Sequence, residues 1–94
     1  MSRPPTLPDP VVVDRFFKNR RRSDVIVTTL STYQDKNIVD VRQYFTNDKG
    51  QLRPTSKGVA MGIGRLVELH AALAKALAKA RSLGLLDDES GSVE

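Results

Sequence analysis

Between Val25 and Met61 no two candidate strands are separated by more than four residues. A parallel pair needs a crossover of a dozen or more residues, so strands in this stretch must run antiparallel, each beside the next. The first candidate is Val25 to Tyr33, Val-Ile-Val-Thr-Thr-Leu-Ser-Thr-Tyr, a run of β-branched residues with only Leu30 favouring a helix. Gln34 to Asn37 is a polar connection of hairpin length. Ile38 to Thr46 reads as a second strand, and Asn47-Asp48-Lys49-Gly50 as a turn. Gln51 to Thr55 is a short third strand in which Pro54, lacking an N–H, calls for an edge or a bulge. Ser56-Lys57-Gly58 turns again, and Val59-Ala60-Met61 makes a brief fourth strand.

Gly62-Ile63-Gly64 ends the strand pattern, and a helix is predicted over Arg65 to Leu83. Leu66, Leu69, Leu73, Leu77 and Ala80 recur at steps of three and four and form one apolar stripe. Gly84 suits the C-terminal cap, and Arg81 the last turn. Such a helix spans about 28 Å at ~1.5 Å per residue, which is long for a small sheet. The expected class is α+β: a four-stranded antiparallel meander followed by one C-terminal helix. One helix covers one face of a sheet at most, and this core is small, with 39% hydrophobic residues and no Trp. A homodimer sharing the Leu66/Leu69/Leu73/Leu77 stripe answers both deficits.

The ends differ from the middle. Residues 1–10 hold four of the five prolines and read as a disordered start, and Arg15 to Arg22 places two phenylalanines among five cations. Whether Val11 to Arg22 is helical or extended is left open by its residues. The division expected is a flexible basic Pro/Arg-rich arm over 1–22, a folded domain over 23–86, and an acidic disordered tail over 87–94. Net charge is +3 over residues 1–24, +5 over 25–86 and −4 over 87–94, for a pI near 9.8. A basic body suits a polyanionic partner, and nucleic acid is the commonest.

Catalysis finds little to work with. Without cysteine there is no disulfide, thiol nucleophile or Cys-ligated metal, and one histidine, His70, makes no multi-His site. Asp35, Asp40, Asp48 and Glu68 are scattered. The glycines at 58, 62 and 64 lack the Gly-Lys-Ser/Thr of a phosphate loop and serve a strand-to-helix turn. The chain is therefore expected to be no enzyme and to need no cofactor or metal. No apolar run approaches the ~20 residues of a bilayer span, so a location away from membranes is expected: cytoplasm or nucleoid in a bacterium, nucleus in a eukaryote.

Binding finds more. Tyr33, Tyr44 and Phe45 lie in or beside the first hairpin, and Lys36, Arg42, Lys49, Arg53, Lys57 and Arg65 spread over the same sheet and its turns. Unpaired bases stack on aromatic rings while Lys and Arg neutralise the backbone, which is what a single strand needs. The helix is mostly Ala and Leu and would read a major groove poorly. The plainer alternative is that the rings are core and the cations solvate the sheet; neighbours alternate, so one of Tyr44 and Phe45 must point to each face.

Val41-Arg42-Gln43-Tyr44-Phe45, a Gly-containing turn, then Arg53-Pro54-Thr55-Ser56-Lys57-Gly58 resembles the positive cofactor 4 family of transcriptional coactivators. The similarity runs without a gap from Tyr33 to Gly58, continues loosely through the helix, and covers about 55 residues, most like the compact bacterial members. The family often has Trp at the place of Phe45 and Glu at that of Gln43. The resemblance implies a symmetric homodimer whose curved sheets bind single-stranded or melted DNA. It places Tyr33 and Phe45 against bases, and Arg42, Arg53 and Lys57 against phosphates; Lys36, read from the residues alone, joins the cations. The expected function is sequence-nonspecific single-stranded DNA binding in transcription regulation or genome maintenance. The rivals are a module that recruits polymerase or another protein, and an RNA-binding chaperone.

Overall fold

A computed structural model describes residues 4–86. Four strands form one open antiparallel sheet in the order of the chain: β1 (Val11–Phe17), β2 (Asp24–Tyr33), β3 (Lys36–Thr46) and β4 (Leu52–Gly62). A 3-10 turn, Ile63–Arg65, leads into α1 (Leu66–Ser82). The class and strand number agree with the sequence-based expectation, but the four strands are not the four predicted. Val11–Phe17 pairs along β2, and the two short predicted strands at 51–55 and 59–61 are halves of the single β4. Residues 11–17 therefore belong to the sheet rather than to a flexible arm. Their β-branched run Val11-Val12-Val13 is a strand signal that the surrounding charge had obscured. Deleting residues 1–22 would strip the edge of β2 and is no clean way to remove an arm.

The turns follow local chemistry. Gln34 and Asp35 have φ of +51° and +63°, the two left-handed residues that let a two-residue turn match the twist of a hairpin. Between β3 and β4 the Asn47 carboxamide oxygen accepts the N–H groups of Lys49 and Gln51, both at 2.9 Å, and Gly50 takes φ +78°. In β4, Tyr44 faces Pro54 and Arg42 faces Gly58, so Thr55, Ser56 and Lys57 together oppose Gln43 alone. The bulge is pinned by the Thr55 hydroxyl, which donates to the Gln43 carbonyl at 2.7 Å. Gly58 is required there: a Cβ would lie 2.6 Å from the Val41 carbonyl oxygen.

Register with β2 advances in single steps from Asp24↔Phe45 to Tyr33↔Lys36, so the alternation of β3 is unbroken. One face carries Arg15, Phe17, Val25, Val27, Tyr33, Lys36, Asp40, Arg42 and Tyr44. The other carries Ile26, Leu30, Val39, Val41, Phe45, Arg53, Val59 and Met61. Burial is thin: Val25 and Val27 on the first face and Val39, 1% exposed, on the second. The proline-rich start is tied to the second face. The Leu7 N–H donates to the Thr32 hydroxyl at 2.8 Å, and the Asn37 amide donates to the Pro5 carbonyl at 2.9 Å.

The helix ends as its sequence predicts. Gly84 has φ +75°, the Leu85 N–H reaches the Ala80 carbonyl at 2.9 Å, and the Gly84 N–H reaches that of Arg81 at 3.0 Å, a Schellman cap. Its packing is unexpected. Among the described residues, the 3-10 turn is the only element with more than marginal contact to α1. Leu66 and Leu69 are half-buried, but Leu73 is 59% and Leu77 42% exposed. The chain is correspondingly extended, with a radius of gyration of 15.8 Å against about 12 Å for a compact domain of this length. No helix of the described residues is long and apolar enough to cross a membrane. The acidic tail expected over 87–94 lies outside the described residues, as do residues 1–3.

Candidate nucleic-acid interface

Five of the six residues singled out from the sequence fall into three places, and Arg42 stands apart opposite Gly58. Tyr33 and Lys36 face each other across the β2–β3 turn, and the Tyr33 ring is 65% exposed. Phe45 and Arg53 form a cross-strand pair on the opposite face, with Phe45 41% exposed. From Lys36 to Phe45 is about 30 Å at ~3.3 Å per residue, so the two ring–cation pairs mark opposite ends as well as opposite faces. Lys57 stands in the bulge of β4, the edge strand that separates those faces.

Arg42 differs from the other cations. Its guanidinium holds both Asp40 carboxylate oxygens, at 2.9 and 3.1 Å, and donates to the Thr55 carbonyl at 3.1 Å. The hydrogen bonds that Arg42 donates to Asp40, and then the charge of that carboxylate, raise the Arg42 pKa above its ordinary value, so the group stays cationic at any working pH. The fork is already engaged: it ties β3 to the start of the bulge. Three of its five N–H groups are used in this way and two remain. Arg65 is likewise paired, with Glu68 at 2.7 Å on the exposed side of the helix.

The structure also brings forward residues missing from that set. Arg15 and Phe17 stand on the Tyr33 face, next to Val27 and Val25 in register. The β1–β2 turn carries Lys18, Arg20, Arg21 and Arg22. It is organised by Asn19, whose side-chain amide donates to Asp24 at 3.2 Å and whose carboxamide oxygen accepts the Ser23 N–H at 3.3 Å. The Arg22 guanidinium lies over the Phe17 ring, 5.4 Å from its centroid. The signal was present as aromatics inside a basic run; what could not be read was that the run belongs to the sheet. Among the described residues no cluster of three or more His, Asp or Glu could hold a metal ion, and His70 is exposed on the helix.

Comparison with known proteins agrees with this architecture. A bacteriophage T5 protein of known structure is described as a homolog of the eukaryotic transcription coactivator PC4, implicated in recombination-dependent DNA replication. It superposes with a TM-score of 0.53 at 12% identity, over 77% of this chain and 82% of that one. At that identity the likeness speaks for the fold. No curated protein sequence matches the chain. Residues 18–72, more than half of the sequence, match the family described as Transcriptional Coactivator p15 (PC4), and the chain belongs to that family.

Proposed function

We propose that the protein binds single-stranded DNA without sequence preference, acts as a homodimer, and serves transcription regulation or genome maintenance without catalysing a reaction. The observation that carries this reading is the pairing of an exposed ring with a cation at two places on an open sheet, Tyr33 with Lys36 and Phe45 with Arg53. Each ring offers a π-face to any base, and each cation neutralises a phosphate beside it. A strand that meets both must pass from one face of the sheet to the other, and on the β4 edge Lys57 offers a cation for that passage.

The dimer follows from the helix. A stripe of four leucines with Leu73 and Leu77 open costs solvation that a second copy of the same stripe removes. The same open stripe also favours a second reading, in which α1 recruits polymerase or another protein and DNA binding is weak. Titration of a fluorescent single strand against its duplex, repeated over a range of salt, tests the proposal. Tight binding of the single strand, weaker binding of the duplex, and a log–log salt slope are expected. Oligomer binding lost at moderate salt beside a stable protein complex supports the second reading. Competition with an RNA oligomer decides between DNA and RNA.

A further inference from the structure

The family match begins at residue 18, so β1 lies outside it, yet β1 builds one wall of a groove on the Tyr33 face. The groove has a volume of about 460 Å³ and is lined by Arg15, Phe16, Phe17, Val25, Thr46 and Leu52. It lies at the far end of β2 from Tyr33, and on the opposite face from Phe45. The adjoining β1–β2 turn carries Lys18, Arg20 and Arg21, which line a second hollow of about 530 Å³ together with Asn19 and Asp24. The nearby carboxylate of Asp24 is held by the Asn19 amide and not by an arginine. Arg22 takes φ +60°, uncommon for a residue with a side chain, and lies over the Phe17 ring, which remains 53% exposed.

We infer that this groove is a third stacking subsite, in which one unpaired nucleobase lies against Phe17 while the flanking phosphates are held by Arg20 and Arg21. The lining of Val25 and Leu52 is apolar and sheet-backed, its size is that of a small-molecule site, and its cations are Arg15 in the lining, Arg22 over Phe17, and Arg20 and Arg21 in the adjoining hollow; a flat base carrying anions on either side matches all three. This subsite extends the single-strand surface to the β1 side of the sheet and rests on the function proposed above.

The sequence has no tryptophan, so Phe17→Trp and Tyr33→Trp, made separately, each create a single local reporter. An oligothymidylate of about 16 nucleotides, the upper site size of one small nucleic-acid-binding fold, is titrated into each. Saturable quenching of both emissions is expected. Phe17→Ala should weaken binding about five- to hundred-fold, the range of one base stack. The double change Arg20→Gln and Arg21→Gln should lower the salt slope by about 1.4, two phosphates' worth on a single strand. Quenching in the Tyr33→Trp variant with none in the Phe17→Trp variant overturns the subsite and leaves the broader function standing. Emission of the Phe17→Trp variant that is already shielded from acrylamide in the free protein also overturns it, because a partner subunit then covers the groove. Silence of both reporters overturns the broader function and the subsite together.

Discussion

The sheet and the helix of this protein differ in where their apolar residues find cover. Val39 is enclosed at the centre of a four-strand ladder between Leu30 and Met61, and Val27 lies between the long side chains of Arg15 and Arg42. Neighbouring strands supply both the hydrogen bonds and the burial. The helix satisfies its own backbone and caps its own end, yet Leu73 and Leu77 remain open. One region is complete within a single chain; the other has a finished backbone and an unfinished surface. The sheet finds its cover within the chain, whereas the helix leaves an apolar stripe open for a partner to cover.

The sharpest way to break that contrast is Leu73→Asp. If the stripe is a dimer seam, an unpaired carboxylate there should weaken association by at least about 3 kcal/mol, more than a hundred-fold, seen as monomer by sedimentation equilibrium. A wild-type chain that sediments as a monomer at tens of micromolar removes the premise. Gly58→Ala acts on the other region. Its methyl group would meet the Val41 carbonyl oxygen and the Arg42 Cα, backbone atoms that cannot step aside. An overpacking cost of about 1–3 kcal/mol is expected, read as a fall in melting temperature, with the dimer constant unchanged once folding is allowed for. Equal losses of both would mean that the sheet and the helix seam are coupled.

Phe45→Ala should cost about 1–3 kcal/mol of single-strand binding and leave the salt slope nearly constant, because no counterion-releasing contact is lost. Should the variant melt while its folded fraction binds normally, Phe45 is a structural ring and only Tyr33 of the pair stacks. The smallest effect belongs to Lys57→Ala, a reduction of the salt slope by roughly 0.7, the value for one phosphate on a single strand. An unchanged slope would show that the strand does not cross the β4 edge.

Antiparallel pairing, a turn within 34–37 (tightened in the structure to Gln34 and Asp35), the turn at 47–50, the helix, its leucine stripe and its glycine cap were all legible in the sequence. Each depends on residues a few positions apart: connection length, φ preference, a period of three and four. The candidate rings and cations were legible as types for the same reason. Pairing between distant segments decided the rest. Whether Val11–Phe17 forms a strand depends on the free edge of β2, and whether 51–55 and 59–61 are two strands or one depends on what Gln43 faces across the bulge. Arg42 could be read as a cation, but not as one already tied to Thr55, because that partner on β4 is thirteen residues away. Strand alternation separates Arg42 from Phe45, but which cation each ring meets is set by register, and register is a property of two strands at once. The stripe of α1 was written in the helix alone; that its own sheet leaves it uncovered is a fact of tertiary geometry, since burial needs a surface that local sequence does not contain.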